Sequence, residues 1–329
     1  MRKVVGLIGV SVLCVWSVGV ESRQAAVNPA QLATPAAREP AWAFPVQQGT
    51  LPAETGPKSV AGSTKTYTPA EIDDLLAPPD WLPSDHPPAP PIVQKGHAGA
   101  LACGSCHLMS GTGHPESADL TGMSAQYLAQ QMMDFKSGAR KDVARMNGIA
   151  KELSDEESQQ AADWFALLKP RRNNKVVEAD TVPKTFAGQG RMRFVDPAGG
   201  TEPIGNRIIS VPVDVARARM RDPNTEFVSY VPVGTLARGK TLVETGDGGK
   251  TVACGTCHGA TMQGQGTAGI LAPRLAGQHP IYLARQLYLF KDGSRNGSTA
   301  ALMTPVVANL ADADILAISA YLASLDPTK

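Results

Sequence analysis

The sequence has almost no net charge and almost no cysteine to spare. Lys and Arg number 31 against 30 Asp and Glu, a formal charge of +1 over 329 residues. A nucleic-acid-binding chain concentrates a basic face, and this balance gives no case for one. Five cysteines are present, four of them in two tight pairs, and only Cys14 stands apart. No framework of structural disulfides can be built from that, and no cysteine after Cys14 is left over as a thiolate ligand. A content of 43% apolar residues excludes wholesale disorder, and the length calls for more than one domain.

The paired cysteines carry the chemistry. Cys254-Gly255-Thr256-Cys257-His258 and Cys103-Gly104-Ser105-Cys106-His107 are two copies of one pentapeptide. Two thiols three residues apart, followed directly by an imidazole, form the attachment signature of c-type haem. Both cysteines add across the vinyl groups of one porphyrin edge. The short turn between them then delivers the histidine as proximal iron ligand. A zinc ribbon also pairs cysteines, but its pairs stand about 15–20 residues apart. Here they are about 150 apart and each has its own histidine. A thioredoxin-like redox pair needs a βαβ context that neither site has.

Residues 1–22 read as an export signal or an N-terminal anchor. Arg2 and Lys3 precede an uncharged stretch from Val4 to Val20, and small residues that suit cleavage follow. Cys14 follows the bulky Leu13, which argues against a lipoprotein site. Either form places the rest of the chain outside the cytoplasm. Residues 23–91 form a Pro/Ala-rich arm, with a short capped helix expected from Thr68 to Leu76. Trp42, Phe44 and Trp81 are too apolar for a plain linker and suggest that the arm wraps a folded unit, a tether being the alternative.

Residues 92–170 form a first helical unit. A middle helix spans Tyr127 to Lys136 and ends at Gly138, and a last helix opens on the capping box Ser154-Asp155-Glu156-Glu157. Residues 171–235 differ in character: short β-branched runs at Arg191–Val195, Arg207–Val213 and Phe227–Val233 predict two to four strands without a core of their own. Counted to Arg238, that stretch has eleven basic against seven acidic residues, a net of +4. This suits a solvated connector, or else a docking surface for an acidic partner or lipid headgroups. Residues 236–329 repeat the first unit: Tyr282 to Arg295 aligns without gaps on Tyr127 to Arg140, with eight of fourteen positions identical. The fold expected is mainly α, two tandem helical domains of about 80 residues flanked by the arm and a short β-containing insert.

Each haem needs a sixth ligand. Met146 stands seven residues before Leu153, and Met303 seven before Leu310, each just ahead of the last helix. A thioether there raises the reduction potential and leaves no open position, which suits electron transfer. Met303 is the clear candidate in the second unit, because Met262 lies only four residues after His258. The first unit offers Met109, Met123, Met132, Met133 and Met146, and equivalence between repeats selects Met146. Both methionines are expected in extended loops. His86, His97, His114 and His279 are the remaining imidazoles; the last two precede prolines and are expected at the surface.

With these residues in view, each repeat resembles a class I cytochrome c, and the pair resembles the di-haem cytochromes of the c4 type. The likeness rests on Cys254 to Gly259, Pro273-Arg274-Leu275-Ala276-Gly277-Gln278, Phe290 to Arg295 and Met303-Thr304-Pro305. In the first repeat it rests on Cys103 to His107, Leu120 to Gly122, Phe135 to Arg140 and Met146. The resemblance implies helices around two covalent haem c groups, with His107 and Met146, and His258 and Met303, as axial ligands. It also implies that the Pro273 carbonyl holds the His258 imidazole. The first repeat has Ala118 in that place and a shorter loop, which leaves the orientation of His107 open. Arg140 and Arg295, shared by both repeats, are candidates for haem propionate contacts.

The function expected is an exported electron carrier, not an enzyme, working in the periplasm between redox protein partners, with membrane association through the N-terminal segment or the basic insert. The alternatives are a catalytic di-haem enzyme of thiosulfate dehydrogenase or peroxidase type, and a cytochrome subunit of a membrane-bound complex.

Overall fold

The computed structural model describes residues 40–142, 144–264 and 270–329. Residues 1–22, expected to be a signal or anchor, and the arm as far as residue 39 lie outside the described residues. The arm contributes α1 (Pro69–Ile72) and leads into α2 (Pro91–Gln94). The first unit continues with α3 (Gly104–His107), α4 (Ala125–Ser137), α5 (Met146–Glu152) and α6 (Asp155–Ala166). The insert holds β1 (Asn174–Glu178), β2 (Thr181–Pro183), β3 (Thr185–Ala187), β4 (Arg193–Val195), β5 (Thr201–Pro203), β6 (Ile209–Pro212), α7 (Val215–Arg219) and β7 (Phe227–Val231). The second unit is α8 (Thr235–Thr245), α9 (Gly255–His258), α10 (Pro280–Lys291), α11 (Thr304–Val307) and α12 (Asp312–Ser324).

Local chemistry sets the helix ends. The Ser124 side chain accepts from the Tyr127 N–H to start α4, and Gly138 closes it in the left-handed conformation, φ 82°. Ser154 and Glu157 exchange hydrogen bonds in a capping box at α6. Pro280 occupies the first turn of α10, where its missing N–H leaves no bond unmade. Helix α12 is buried nearly all round, from Ile315 to Ala323, because α8, α10 and β1 pack around it. Helix α1 is shorter than its sequence pattern: the box between Thr68 and Glu71 forms, but the backbone leaves the helix at Asp73, and Pro78 and Pro79 follow.

The insert is more structured than expected. It has seven strands rather than two to four, and a small core of Val182, Ile204, Ile209 and Val211. β1 and β7 run parallel, with Asn174 paired to Phe227, and β6 joins β7 antiparallel, with Ile209 opposite Tyr230. Two antiparallel pairs, β2–β5 and β3–β4, complete it. The three-stranded sheet leans on the second unit, whose core takes in Ile208 and Val231. The expectation failed because four of the strands are only three residues long, and three of these, β2, β3 and β5, carry no periodic run of their own.

The arm is packed against the body. Trp42 and Ala43 enter the second unit's core, and the rings of Trp42 and Phe44 lie 6.4 and 6.1 Å from that of Tyr288. Trp81 is 1% exposed, stacks edge-on against Tyr67, and donates its indole N–H to the Met220 carbonyl at 2.7 Å. Trp164 of α6 donates to the Pro87 carbonyl at 3.0 Å. The arm thus touches the first unit, the insert and the second unit in turn.

Candidate haem sites

Each repeat encloses one deep, mainly apolar cavity with its pentapeptide in the wall. The first is lined by Cys103, Cys106, His107 and Met146, with Phe135 and Phe165 among its apolar residues. The second is lined by Cys254, Cys257, His258 and Met303, with Phe290 and Leu287. α3 and α9 are single turns that carry the second cysteine and the histidine of each site, with the first cysteine, Cys103 or Cys254, at the N-cap position.

The proximal histidines are held alike. His107 Nδ1 donates to the Ala118 carbonyl at 2.9 Å, and His258 Nδ1 to the Pro273 carbonyl at 2.8 Å. A carbonyl can only accept, so Nδ1 must carry the proton and Nε2 keeps its lone pair for a metal. Burial pushes both imidazoles below their ordinary pKa and so keeps them neutral. The change from Pro273 to Ala118 is harmless because the contact uses only backbone. Burial also pushes the thiols up, Cys103 to about 12 and Cys254 to about 11.

The methionines are not in extended loops. Met146 is the first residue of α5, and Met303 lies in helical backbone between a 3₁₀ turn and α11. Each still lines its cavity. Pro305 in the first turn of α11 favours helix there, and Asn147 ties α5 down by donating to the carbonyls of Phe135 and Arg140 at 2.6 and 2.8 Å. Met132 also lines the first cavity, and Met123 lines both; Met109 and Met262 are core residues, and Met133 is exposed. His279 is fully buried, not at the surface: it lies between the units, with Nε2 3.2 Å from the Thr112 carbonyl, and burial lowers its pKa to about 4. His114 is half-buried against Ser117. Among the described residues no second imidazole lines either cavity.

Between the cavities the two repeats meet through equivalent residues. Arg140 donates to Gln131 at 2.8 Å, to Tyr282 at 3.1 Å and to Gln286 at 2.8 Å. Arg295 answers with Gln286 at 3.0 Å and with Tyr127 and Gln131 at 2.8 Å each. The chain segments bridge too: the Lys141 N–H reaches the Ser294 carbonyl and the Asn296 N–H the Ala139 carbonyl, both at 2.8 Å. Each guanidinium lies 4.4 Å from a ring, Phe135 or Phe290. Burial, with Arg140 adding to it, holds Arg295 below its ordinary pKa. Two buried cations bonded to neutral oxygens, one lining each cavity, suit a ligand that brings its own carboxylates, as haem does. The chemistry of both donor sets therefore fits haem.

A second seam is an ion pair with both side chains fully buried, Asp119 with Arg274 at 2.8 Å. Arg274 Nε also donates to the Thr121 carbonyl at 2.9 Å, and Gln278 bonds the Asp119 backbone from both sides. Sequence reasoning missed this seam and the roles of Gln131 and Gln286. The recurrence of Tyr and Gln in both copies was the available signal for the latter, but it does not say that they cross to the other repeat.

The cytochrome c family profile matches residues 236–326. The chain is 30% identical to cytochrome c4 of Pseudomonas aeruginosa over 236 residues, covering 70% of this chain and 87% of that protein. It is also 30% identical to the thiosulfate dehydrogenase electron acceptor of Thiomonas intermedia, covering 70% of this chain and 82% of that protein. A solved thiosulfate dehydrogenase structure from Marichromatium purpuratum superposes with a TM-score of 0.50 at 26% identity, covering 72% of this chain and 39% of that one. The chain belongs to the cytochrome c4 family, di-haem c-type cytochromes with covalently bound haem c that act in electron transfer.

Proposed function

We propose that this protein is an exported electron carrier of the periplasm, with one haem c in residues 92–170 and one in 236–329. Cys103 and Cys106 attach the first haem and Cys254 and Cys257 the second. His107 with Met146 would hold the first iron, and His258 with Met303 the second. The observation that carries this reading is the double occurrence of one arrangement: a histidine with Nδ1 fixed by a backbone carbonyl, in one cavity with a methionine.

Bound haem supplies a one-electron ferrous/ferric couple. The chain's residues keep that couple fast and free of side reactions. The Ala118 and Pro273 carbonyls fix the imidazoles, and Met146 and Met303, lining the same cavities, would supply the thioether ligands. The aromatic walls exclude water, and Arg140 and Arg295 are placed to meet propionates between the two cavities. Among the described residues no helix is long and apolar enough to cross a membrane. Export is argued from residues 1–22 of the sequence alone.

A relative named for accepting electrons from thiosulfate dehydrogenase points to a sulfur-oxidising dehydrogenase as donor. Near-infrared magnetic circular dichroism of the oxidised protein tests the ligands. Two methionine-to-ferric-haem bands are expected, and Met146→Ala and Met303→Ala should each remove one. A high-spin haem in the parent protein would overturn the carrier reading at that site. Reduction by thiosulfate alone, with no dehydrogenase added, would identify an enzyme instead.

A further inference from the structure

The first haem cavity has a neighbour. The arm, the insert, the chain around α3 and the residues just before α5 together wall a cavity of about 810 Å³. Cys106, Arg145 and Arg191 line both this cavity and the haem cavity, so it opens beside the attachment edge of the first site. Its charge is one-sided: Arg145, Arg191, Arg219 and Arg221 face it against the single carboxylate of Asp73. His114 also lines it, and burial holds that imidazole well below its ordinary pKa.

Two of the arginines are employed elsewhere. Arg219 pairs with Glu54 at 3.5 Å, and Arg221 donates to the backbone carbonyls of Ile72 and Ser105. Arg145 and Arg191 have no ion-pair partner among the described residues; the Arg145 guanidinium lies 4.0 Å from Cys106 Sγ. Burial and the charges of Arg145 and Arg285 all press Arg191 toward losing its proton. Backbone strain converges here as well. Among the described residues five non-glycine residues have left-handed φ, and three of them line this cavity: Leu108 at 61°, Arg191 at 65° and Arg221 at 53°. Such strain collects where side chains must be aimed. A plain connector would leave its arginines in solvent and its backbone relaxed.

We propose that this cavity binds a small tetrahedral oxoanion of the sulfate class, gripped by Arg145 and Arg191 beside the first haem. Guanidinium forks match the paired oxygens of such an ion. The walls come from four stretches of this chain, which suits a free ion rather than the surface of a protein. The proposal rests on the assignment of Cys106 as an attachment cysteine. An anion there favours the ferric state, so it binds the oxidised protein more tightly and lowers the first midpoint while leaving the second in place.

The test uses the full-length di-haem protein. Sulfate and inorganic phosphate are each titrated against chloride at matched ionic strength, by calorimetry and by spectroelectrochemistry. One ion per chain is expected, and the tighter of the two identifies the source. Binding tenfold tighter to the ferric form lowers one midpoint by 59 mV. Arg145→Gln and Arg191→Gln should each weaken binding about tenfold, the loss of one charge-assisted contact. Arg145→Lys should fall between, with haem content and melting temperature showing that each variant is folded. Two haems and no ion effect beyond chloride overturn the proposal alone. So does Arg191→Gln shifting the midpoint in chloride with sulfate affinity unchanged, since Arg191 would then serve the haem itself. A parent protein lacking haem at Cys103 and Cys106 overturns the assignment beneath it.

Discussion

A single guanidinium illustrates how residues here serve two sites at once. Arg295 lies in the second repeat and lines the second cavity, yet bonds Tyr127 and Gln131 of the first repeat. Its positive charge disfavours the ferric state of both irons. Arg295→Gln should therefore lower both midpoints together, each by about 60 mV if the lost interaction amounts to about tenfold. Spectroelectrochemistry of the variant checks this, and a shift in one haem alone would show that the residue belongs to one site only. The cysteines and histidines were legible in the sequence because attachment chemistry is local and its spacing is fixed. The arginine network was not, because the bonds that cross between the repeats join residues more than 140 positions apart. That Met146 and Met303 would face the cavities was legible, but their conformation was not, since Asn147 and Pro305 set a backbone that a ligand argument does not address.

At the scale of elements, the crossing of α8 and α12 holds the second unit together. Gly239 is where the two backbones approach, and an added Cβ would collide with the Ala317 carbonyl and the Tyr321 side chain. Gly→Ala in an open helix stabilises by up to about 1 kcal/mol. At this crossing Gly239→Ala should instead destabilise by about 1–3 kcal/mol through overpacking, measurable by chemical denaturation. The start of α12 adds a charge cluster: Asp314 accepts from Arg238 and Lys250 at 2.6 Å each and from the Ala311 N–H at 2.9 Å. Burial pushes its carboxyl up, but these donors outweigh burial and hold it below the ordinary 3.8. A lowered folded pKa means stability that is full above the unfolded value and is lost as pH falls through the folded one. Asp314→Asn should cost about 1–2 kcal/mol at pH 7, and this difference from the parent should shrink as pH drops below about 4. Denaturation midpoints across that range would show it. The capped helices α4 and α6 were readable from sequence at nearly their observed bounds, because capping is local; α1 has its capping box but stops at Ile72, since a cap sets where a helix starts and not how far it runs. The three-residue strands were not, because only their partners define them.

On the scale of the whole molecule, the two halves are joined where the two pentapeptide histidines are oriented. Asp119 follows Ala118, whose carbonyl holds His107; Arg274 follows Pro273, whose carbonyl holds His258. The fully buried pair between Asp119 and Arg274 therefore ties the two histidine-orienting loops directly together. Removing one member leaves an uncompensated charge where no water reaches, at a cost of about 3–5 kcal/mol. Removing both removes the stranded charge as well. Asp119→Asn and Arg274→Leu should each be strongly destabilising, and the double variant should lose less than the two combined, by 0.5–3 kcal/mol on a double-mutant cycle. The same variants separate the pair's two effects. If it only glues domains, unfolding splits into two transitions while each haem keeps its spectrum. With the carbonyls on its flanks, the single variants should also broaden the methionine-to-iron band and shift the imidazole N–H resonances of both His107 and His258. Shifts confined to one histidine would mean that the two loops are held independently and that the ion pair only glues the halves.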